Sequence, residues 1–129
     1  MATEVKYEGQ HRGEFLVSEG PGTISREDGI LTAGQSVKDG QAIALSNGKL
    51  VAATGARDGS GVSTEDIKGF ALGDYTAPAG GSGVPIVYIA RLAEVKEVSV
   101  TYSTATGGTK AAADAAVKAA LAKAFIIAR

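Results

Sequence analysis

The residues of this chain that could do chemistry are few and widely spaced. His11 is the only histidine, and a catalytic base or metal ligand needs partners held at fixed positions around it. His11 stands in a polar segment, so we interpret it as a solvated side chain. The carboxylates in the middle of the chain lack the spacing of an EF-hand calcium loop, and we interpret them as solvated loop residues. They are Asp58, Glu65, Asp66 and Asp74.

Two further segments lack the context that their chemistry would need. Residues 80–83, Gly-Gly-Ser-Gly, are not followed by the Lys-Ser/Thr of a phosphate-binding loop. They also precede a predicted strand and not a helix N-terminus. Lys38 lies at a predicted turn, but it lacks the flanking residues of biotinyl or lipoyl domains. The sequence therefore predicts no enzyme, no cofactor and no metal site.

Arg26 has two interpretations. It stands in the segment Ser-Arg-Glu-Asp, and arginine is favoured at the energetic centres of protein interfaces. It could instead form a local ion pair with Glu27 or Asp28, worth about 0–1 kcal/mol. The residues alone leave both interpretations open.

Composition favours one β-rich domain. The 129 residues suit a single domain, and the 18 glycines, about twice the usual share, predict many turns between short strands. The chain has no cysteine, which excludes disulfides. A net charge of −1 does not favour nucleic acid or an anionic membrane as a partner. No segment has the apolar length of a signal peptide or a membrane span.

Strand patterns run from about residue 30 to residue 102. Asn47-Gly48 between two apolar runs predicts a type I′ hairpin, with Ser46 opposite Lys49. Its buried face should hold Ile43, Leu45, Leu50 and Ala52. Further strands are predicted over residues 30–35, 67–75, 84–95 and 98–102. In the 67–75 strand, Gly69 and Gly73 should mark bends or close contacts. The start of the 84–95 strand is apolar on both faces, which indicates a central strand.

The pattern changes to that of a helix near the end of the chain. Residues 110–124 are rich in alanine and follow Thr109, a predicted N-cap. Asp114 and Lys118 have the spacing of an i,i+4 ion pair. Val117, Leu121 and Ala124 form a narrow apolar stripe. Residues 125–128 are too apolar for a free tail, so we expect a last short strand.

Residues 1 to about 14 have the composition of a mobile arm, with Val5 and Tyr7 as the apolar anchors. Ordering such a segment costs on the order of 14–28 kcal/mol. Burying two side chains returns only about 3–6 kcal/mol. We therefore expect the arm to be disordered in the isolated protein, or ordered only by backbone pairing with another chain.

The stretch from Phe15 to Glu27 resembles the opening of the bacteriophage head decoration proteins, the capsid-stabilising proteins of lambda-type tailed phages. It carries a short apolar run, a Ser-Glu-Gly turn and then Ile-Ser-Arg-Glu. Gly-Lys-Leu-Val-Ala at 48–52, Gly-Phe-Ala-Leu at 69–72 and the Ala-rich segment ending in Ile-Ile-Ala-Arg also fit. The absence of tryptophan and the long Ala-rich helix are departures.

This resemblance implies both a fold and a function. The fold is mainly β with a small α part (α+β): a compact β-barrel-like or β-tulip domain with one Ala-rich C-terminal helix and a disordered N-terminal arm. The implied function is capsid stabilisation: a homotrimer binds the major capsid protein on the outer surface of the expanded head and clamps neighbouring capsomers. The resemblance also implies assembly in the host cytoplasm.

We expect a flexible capsid-binding arm over residues 1–20 and a single decoration domain over 21–129. The residues expected to contact the capsid are Val5, Tyr7, Phe15, Val17 and Arg26. The alternative is a small β-barrel module that binds a ligand or another protein. Such a module should be a monomer with a concave pocket, whereas a decoration protein should be a trimer.

Overall fold

The computed structural model describes residues 11–129. Within these residues the chain forms short strands, one α-helix and two 3-10 turns, at 97–99 and 107–109. The strands are β1 Leu16–Glu19, β2 Arg26–Leu31, β3 Ser36–Val37, β4 Ala42–Ser46, β5 Lys49–Ala52, β6 Asp66–Ala71, β7 Tyr75–Thr76, β8 Val84–Ile89, β9 Ala93–Val95 and β10 Ile126–Ala128. The helix, α1, is Lys110–Ala122. The predicted class, mainly β with one C-terminal helix, is confirmed.

A closed five-stranded barrel, in the order β2-β5-β4-β6-β8, forms the centre of the fold. The β4–β5 hairpin has the predicted register, with Ser46 opposite Lys49. Its turn residues Asn47 and Gly48 take φ values of 52° and 78°, as a type I′ turn requires. Leu45 is an exception to the predicted buried face, because it lies partly exposed near the end of its strand. β8 pairs with both β2 and β6, which confirms it as a central strand.

A second sheet of three strands assembles parts of the chain that are distant in sequence. β9 lies in the middle, antiparallel to β1 on one side and parallel to β10 on the other. The last short strand was therefore predicted correctly. β3 and β7 form a separate two-stranded ladder.

Four predicted strands differ from the structure. The strand predicted over 30–35 is β2, which begins at Arg26 and ends at Leu31, and residues 32–35 form a turn closed by the hydrogen bond from Gln35 N to the Thr32 carbonyl at 3.0 Å. The long strand over 84–95 is divided because Leu92 adopts a φ of 51°, which turns β9 out of the barrel and into the second sheet.

The strand over 67–75 is interrupted at Gly73, where φ is 114°; Gly73 is one of the two glycines expected to mark a bend or close contact there. The strand over 98–102 is reduced to an isolated parallel bridge between Thr101 and Gln41. Residues 97–99 form a 3-10 turn, and the backbone N–H of Glu97 donates to the Arg129 carbonyl at 3.0 Å. Val98 is consequently 94% exposed.

The core has two parts. One fills the barrel with Leu31, Val37, Ile43, Leu50, Ala71, Ala77, Ile86, Tyr88 and Ala90. The other packs the second sheet and the helix against the barrel, and it contains three aromatic rings. Phe15 and Phe70 have ring centroids 5.9 Å apart, and the same distance separates Phe70 from Tyr102. Aliphatic and small residues supply most of both clusters, as the low aromatic content predicts.

The helix forms where expected but ends at Ala122, two residues early. Val117 and Leu121 are buried, whereas Ala124 lies beyond the helix. Thr109 occupies the N-cap position, but its side chain donates to the carbonyl of Thr106 and does not cap the helix. No helix in the described part of the chain is long and apolar enough to cross a membrane.

The predicted Asp114–Lys118 pair does not form. Asp114 pairs with Lys110 at 3.2 Å and also accepts a hydrogen bond from the Ser103 hydroxyl at 2.7 Å. Lys118 instead contacts Glu97 at 3.2 Å. Asp114 thus pairs one turn earlier in the helix, and Lys118 pairs outside it. The contacts to Ser103 and Glu97 hold α1 to the 97–103 segment.

Candidate interaction surfaces

The start of the described chain is held to the domain by Asp39. Its carboxylate accepts the backbone N–H of Gly13 (2.9 and 3.0 Å to the two oxygens) and that of Gly73 (2.7 Å). The backbone N–H of Asp39 in turn donates to Asp74 at 2.8 Å. Hydrogen bonds to an ionised carboxylate are stronger than neutral ones. Asp39 therefore fixes the backbone of Gly13 against that of Gly73.

Two neighbouring contacts complete this attachment. The Arg12 guanidinium donates to the hydroxyl of Tyr75 (3.4 Å), and that hydroxyl donates to the carbonyl of Leu72 (2.8 Å). The carbonyl of Phe15 accepts the backbone N–H of Lys96 at 2.7 Å. We call residues 12–15 and their contacts to Asp39, Tyr75 and Lys96 the arm root.

Replacing Asp39 with asparagine should loosen the arm root and cost about 1–3 kcal/mol, because the amide removes the charge and part of the accepting capacity. Amide hydrogen exchange should accelerate most at Gly13 and Gly73. Asp66→Asn is the matched control, since Asp66 is an exposed carboxylate paired with Lys68 (3.2 Å). Equal exchange at Gly13 in the wild type and Asp39→Asn would contradict the assignment.

The residues predicted to contact a partner lie in different environments. Val5 and Tyr7 fall outside the described residues. Phe15 is 0% exposed and forms part of the core, so its side chain is not on the surface of the subunit. Val17, two positions further along β1, is 49% exposed. Of the predicted contact residues that the structure describes, Val17 and Arg26 are therefore the ones with exposed side chains.

Arg26 forms an ion pair, but with a partner that was not predicted. Its Nε and Nη2 donate to the two carboxylate oxygens of Glu19 at 3.0 and 2.6 Å. The interpretation as a local ion pair with Glu27 or Asp28 is therefore wrong, and Glu27 itself pairs with Arg91 at 2.8 Å. The hydrogen bond from Arg26 lowers the pKa of Glu19, and the same bond raises the pKa of Arg26. Both groups therefore stay charged near neutral pH.

The carboxylates first considered as metal ligands have separate structural partners. Glu65 accepts the backbone N–H groups of residues 54–56 at 2.7–3.2 Å. Asp58 accepts those of Ser60 and Val62 at 2.8 and 3.0 Å, which closes its own loop. Asp74 binds the backbone of Asp39. Among residues 11–129, no group of three or more His, Cys, Asp or Glu side chains is placed to hold a metal ion.

The other positions considered for chemistry also have local contacts. The backbone N–H of His11 donates to Glu14 at 2.8 Å. Lys38 lies 3.9 Å from Asp74 with an exposed side chain. In the 80–83 loop, the carbonyl of Ser82 accepts the Lys49 ammonium at 3.1 Å.

A cluster of exposed apolar side chains lies at one end of the second sheet. Leu92, Phe125 and Ile127 line a shallow depression beside residues 18–20. Ile24 adjoins it, because a Cβ on Gly20 would lie 2.5 Å from Ile24 Cγ2 and 3.9 Å from Leu92 Cβ. We call Ile24, Leu92, Phe125 and Ile127 the apolar patch. Phe125 is its most exposed member, at 67%.

Two members of the apolar patch have left-handed backbone conformations. Leu92 has a φ of 51° and Phe125 a φ of 60°, values that bulky residues rarely adopt. The two segments are hydrogen-bonded to each other, from Leu92 N to the Ala124 carbonyl and from Ala93 N to the Phe125 carbonyl, both at 3.1 Å. A left-handed non-glycine residue costs about 1–3 kcal/mol, so this corner of the fold is strained twice.

Ion pairs surround the apolar patch. Glu19 pairs with Arg26 (2.6 Å), and Glu94 pairs with Arg129 (2.8 Å); both glutamates line the depression. Arg91 pairs with Glu27 (2.8 Å) and also donates to the carbonyl of Ile24 at 2.7 Å. Three arginines and three glutamates thus form a rim without net charge.

The apolar patch and Asp39 were not among the residues singled out from the sequence. The run at 125–128 was correctly assigned to a strand, and strand alternation places Ile127 on the face opposite the buried Ile126. That alternation was the available signal. No comparable pattern marks Leu92 or Asp39, because their roles depend on contacts with distant residues.

Comparison with known proteins gives one clear relationship. Residues 5–122 match the family described as bacteriophage lambda head decoration protein D. The match includes the arm root, the barrel and the whole of α1. A search of the curated proteins finds no match.

Proposed function

Because the chain belongs to the bacteriophage lambda head decoration protein family, we propose that it binds the expanded phage capsid as a homotrimer and clamps neighbouring capsomers. The membership itself identifies a phage head decoration protein associated with the capsid of the virion, in a structural family and not an enzyme family. The observation that carries the proposal is the family match over residues 5–122. The trimer, the outer surface and the stabilisation of the head are the proposed parts.

The N-terminal residues are the proposed capsid-binding segment. An extended segment can add a strand to the exposed sheet edge of another protein, where backbone hydrogen bonds supply affinity and side chains add selectivity. Val5 and Tyr7 are the side chains in this segment suited to small apolar pockets. Val17 and Arg26 would extend the contact onto the domain. Phe15 would act from within the subunit, since its buried ring fixes β1 and the arm root.

The arm root suits this role because it gives the segment a defined origin. Gly13 is bound to Asp39 and Phe15 is in the core, so the residues before them start from a fixed position. A homotrimer would present three such segments from one rigid body. Binding of one segment raises the local concentration of the other two at their sites. A trimer could therefore bridge several capsid subunits and resist their separation.

Cosedimentation with expanded capsids that lack a decoration protein tests the proposal. The wild type should pellet with the capsids and raise the temperature at which they release their contents. A chain lacking residues 2–10 should bind at least tenfold more weakly. The deletion should stop before Gly13, because removal of residues 1–20 would also remove Phe15 and β1 and would test folding instead.

A chain with residues 2–10 in scrambled order is the control for composition and length. If backbone pairing supplies most of the affinity, this variant should bind better than the deletion and less well than the wild type. Full binding by the deletion variant would refute the capsid-binding role of the segment. A wild-type monomer that stays in the supernatant would instead favour the small β-barrel binding module.

A further inference from the structure

We propose that the apolar patch (Ile24, Leu92, Phe125 and Ile127) is the contact between copies of this chain. Phe125 would lie next to the rotation axis. The inference rests on the homotrimer proposed above and specifies which surface forms it. The strain, exposure and charge of the patch carry the argument.

The left-handed backbone at Leu92 and Phe125 is held by hydrogen bonds within the subunit, and it leaves two large apolar side chains at the surface. Glycine or asparagine fits a left-handed backbone with less strain than leucine or phenylalanine. Phe125 is 67% exposed and Leu92 43%, so a large part of both side chains stays in water in the isolated subunit. Strained backbone persists at sites where another function uses it. Covering these two side chains with apolar surface would supply that use.

The rim of ion pairs makes the patch compatible with a second copy of itself. Near a rotation axis, each subunit presents the same residues to its neighbours. A surface with net charge would repel its own copies there, whereas the three rim pairs around the patch are balanced. An apolar centre with a polar rim is also the usual anatomy of a protein interface. Arg129, the most exposed of the rim arginines, can reach a neighbouring subunit as well as Glu94.

The position of the patch leaves the arm root accessible. β1 begins next to the arm root and ends at Glu19, beside the patch, so the two surfaces are separated by the strand's length. Four residues of strand span about 13 Å. Subunits that meet at the patch would therefore leave the N-terminal segments free to reach a capsid.

Sedimentation equilibrium of Phe125→Asn tests the proposal, with Val98→Asn as the matched control. Both replace an exposed apolar residue with asparagine, but Val98 lies in the 97–99 turn, outside the patch. Wild type and Val98→Asn should have the mass of a trimer. Phe125→Asn should associate at least tenfold more weakly and give monomers at the same concentration. Far-UV circular dichroism should show the same β-rich fold in all three proteins.

Ile127→Ser provides a second variant with an ordinary backbone conformation, and it too should shift the mass towards the monomer. Trimers of both patch variants as stable as the wild type would overturn the proposal. Patch variants that form stable trimers but fail to pellet with capsids would also overturn it, because that result assigns the patch to a contact with the capsid protein. A monomeric wild type would also overturn it. Capsid binding by the wild type, measured separately, decides the decoration function itself.

Discussion

Replacing Phe15 with alanine is expected to lower the free energy of unfolding by about 3–5 kcal/mol, the usual cost of removing a large aromatic ring from a core. The ring is fully buried and packs 5.9 Å from that of Phe70. Its backbone also joins β1 to the segment after β9, through the hydrogen bond from Lys96 N. The loss should therefore detach β1 and the arm root together.

Urea denaturation measures this effect, and the protein concentration should be fixed, because any association between subunits would make stability depend on concentration. Val17→Ala is the matched control, since Val17 lies on the same strand and is half exposed; it should cost less than about 1 kcal/mol. If Phe15→Ala is as stable as Val17→Ala, Phe15 does not stabilise the core, and the expectation that it contacts the capsid would be favoured instead. The two substitutions thus separate a folding role from a binding role within one strand.

Replacing Gly69 with alanine is expected to destabilise the barrel by roughly 3–5 kcal/mol, at the upper end of single-residue effects. Gly69 has a φ of 151°, which side chains rarely tolerate. An added Cβ would overlap the carbonyl oxygen of Ile89 and lie 3.2 Å from the Ala90 Cα. Those atoms belong to the backbone at the end of β8, the central strand, so they cannot move aside without breaking its pairing with β6.

Gly59→Ala is the control, because a Cβ there meets nothing within 4 Å and its φ is not in the left-handed region. That substitution should be neutral, or stabilising by about 0.4–1 kcal/mol through the unfolded state. Thermal unfolding monitored by circular dichroism compares the two variants. Equal midpoints for Gly69→Ala and Gly59→Ala would mean that the backbones of β6 and β8 leave room for a Cβ at residue 69.

Local patterns predicted the parts of the fold that depend on neighbouring residues. Asn47-Gly48 selects one hairpin register, and the two-sided apolar run at the start of β8 identifies a central strand. The prediction of one long strand over 84–95 failed because the alternation of apolar residues continues through Leu92, whereas the extended backbone conformation does not. What turns the chain there is the hydrogen bonding of residues 92 and 93 to residues 124 and 125, and no local pattern reports a partner so distant in sequence.

The same limit applies to the interaction surfaces. Phe15 looked like an arm residue because it follows a polar segment, yet its environment is set by Phe70 and the 96–102 segment. Arg26 forms an ion pair, but not the local one that was considered from the sequence. Its partner is Glu19 and not a sequence neighbour, because the turn between β1 and β2 brings the two together. Charge and hydropathy can be read locally, whereas pairing is a property of the completed fold.

The second sheet also has a consequence for the order of events during synthesis. β9 needs β1, made early, and β10, whose last residue is Ala128. A ribosome that has translated as far as the end of α1 has supplied every strand of the barrel but not β10. Because contacts between distant parts of a chain form slowly, we expect the barrel to close first. The corner carrying Leu92 and Phe125 should form last, so a partly made subunit would not yet display the apolar patch to its neighbours.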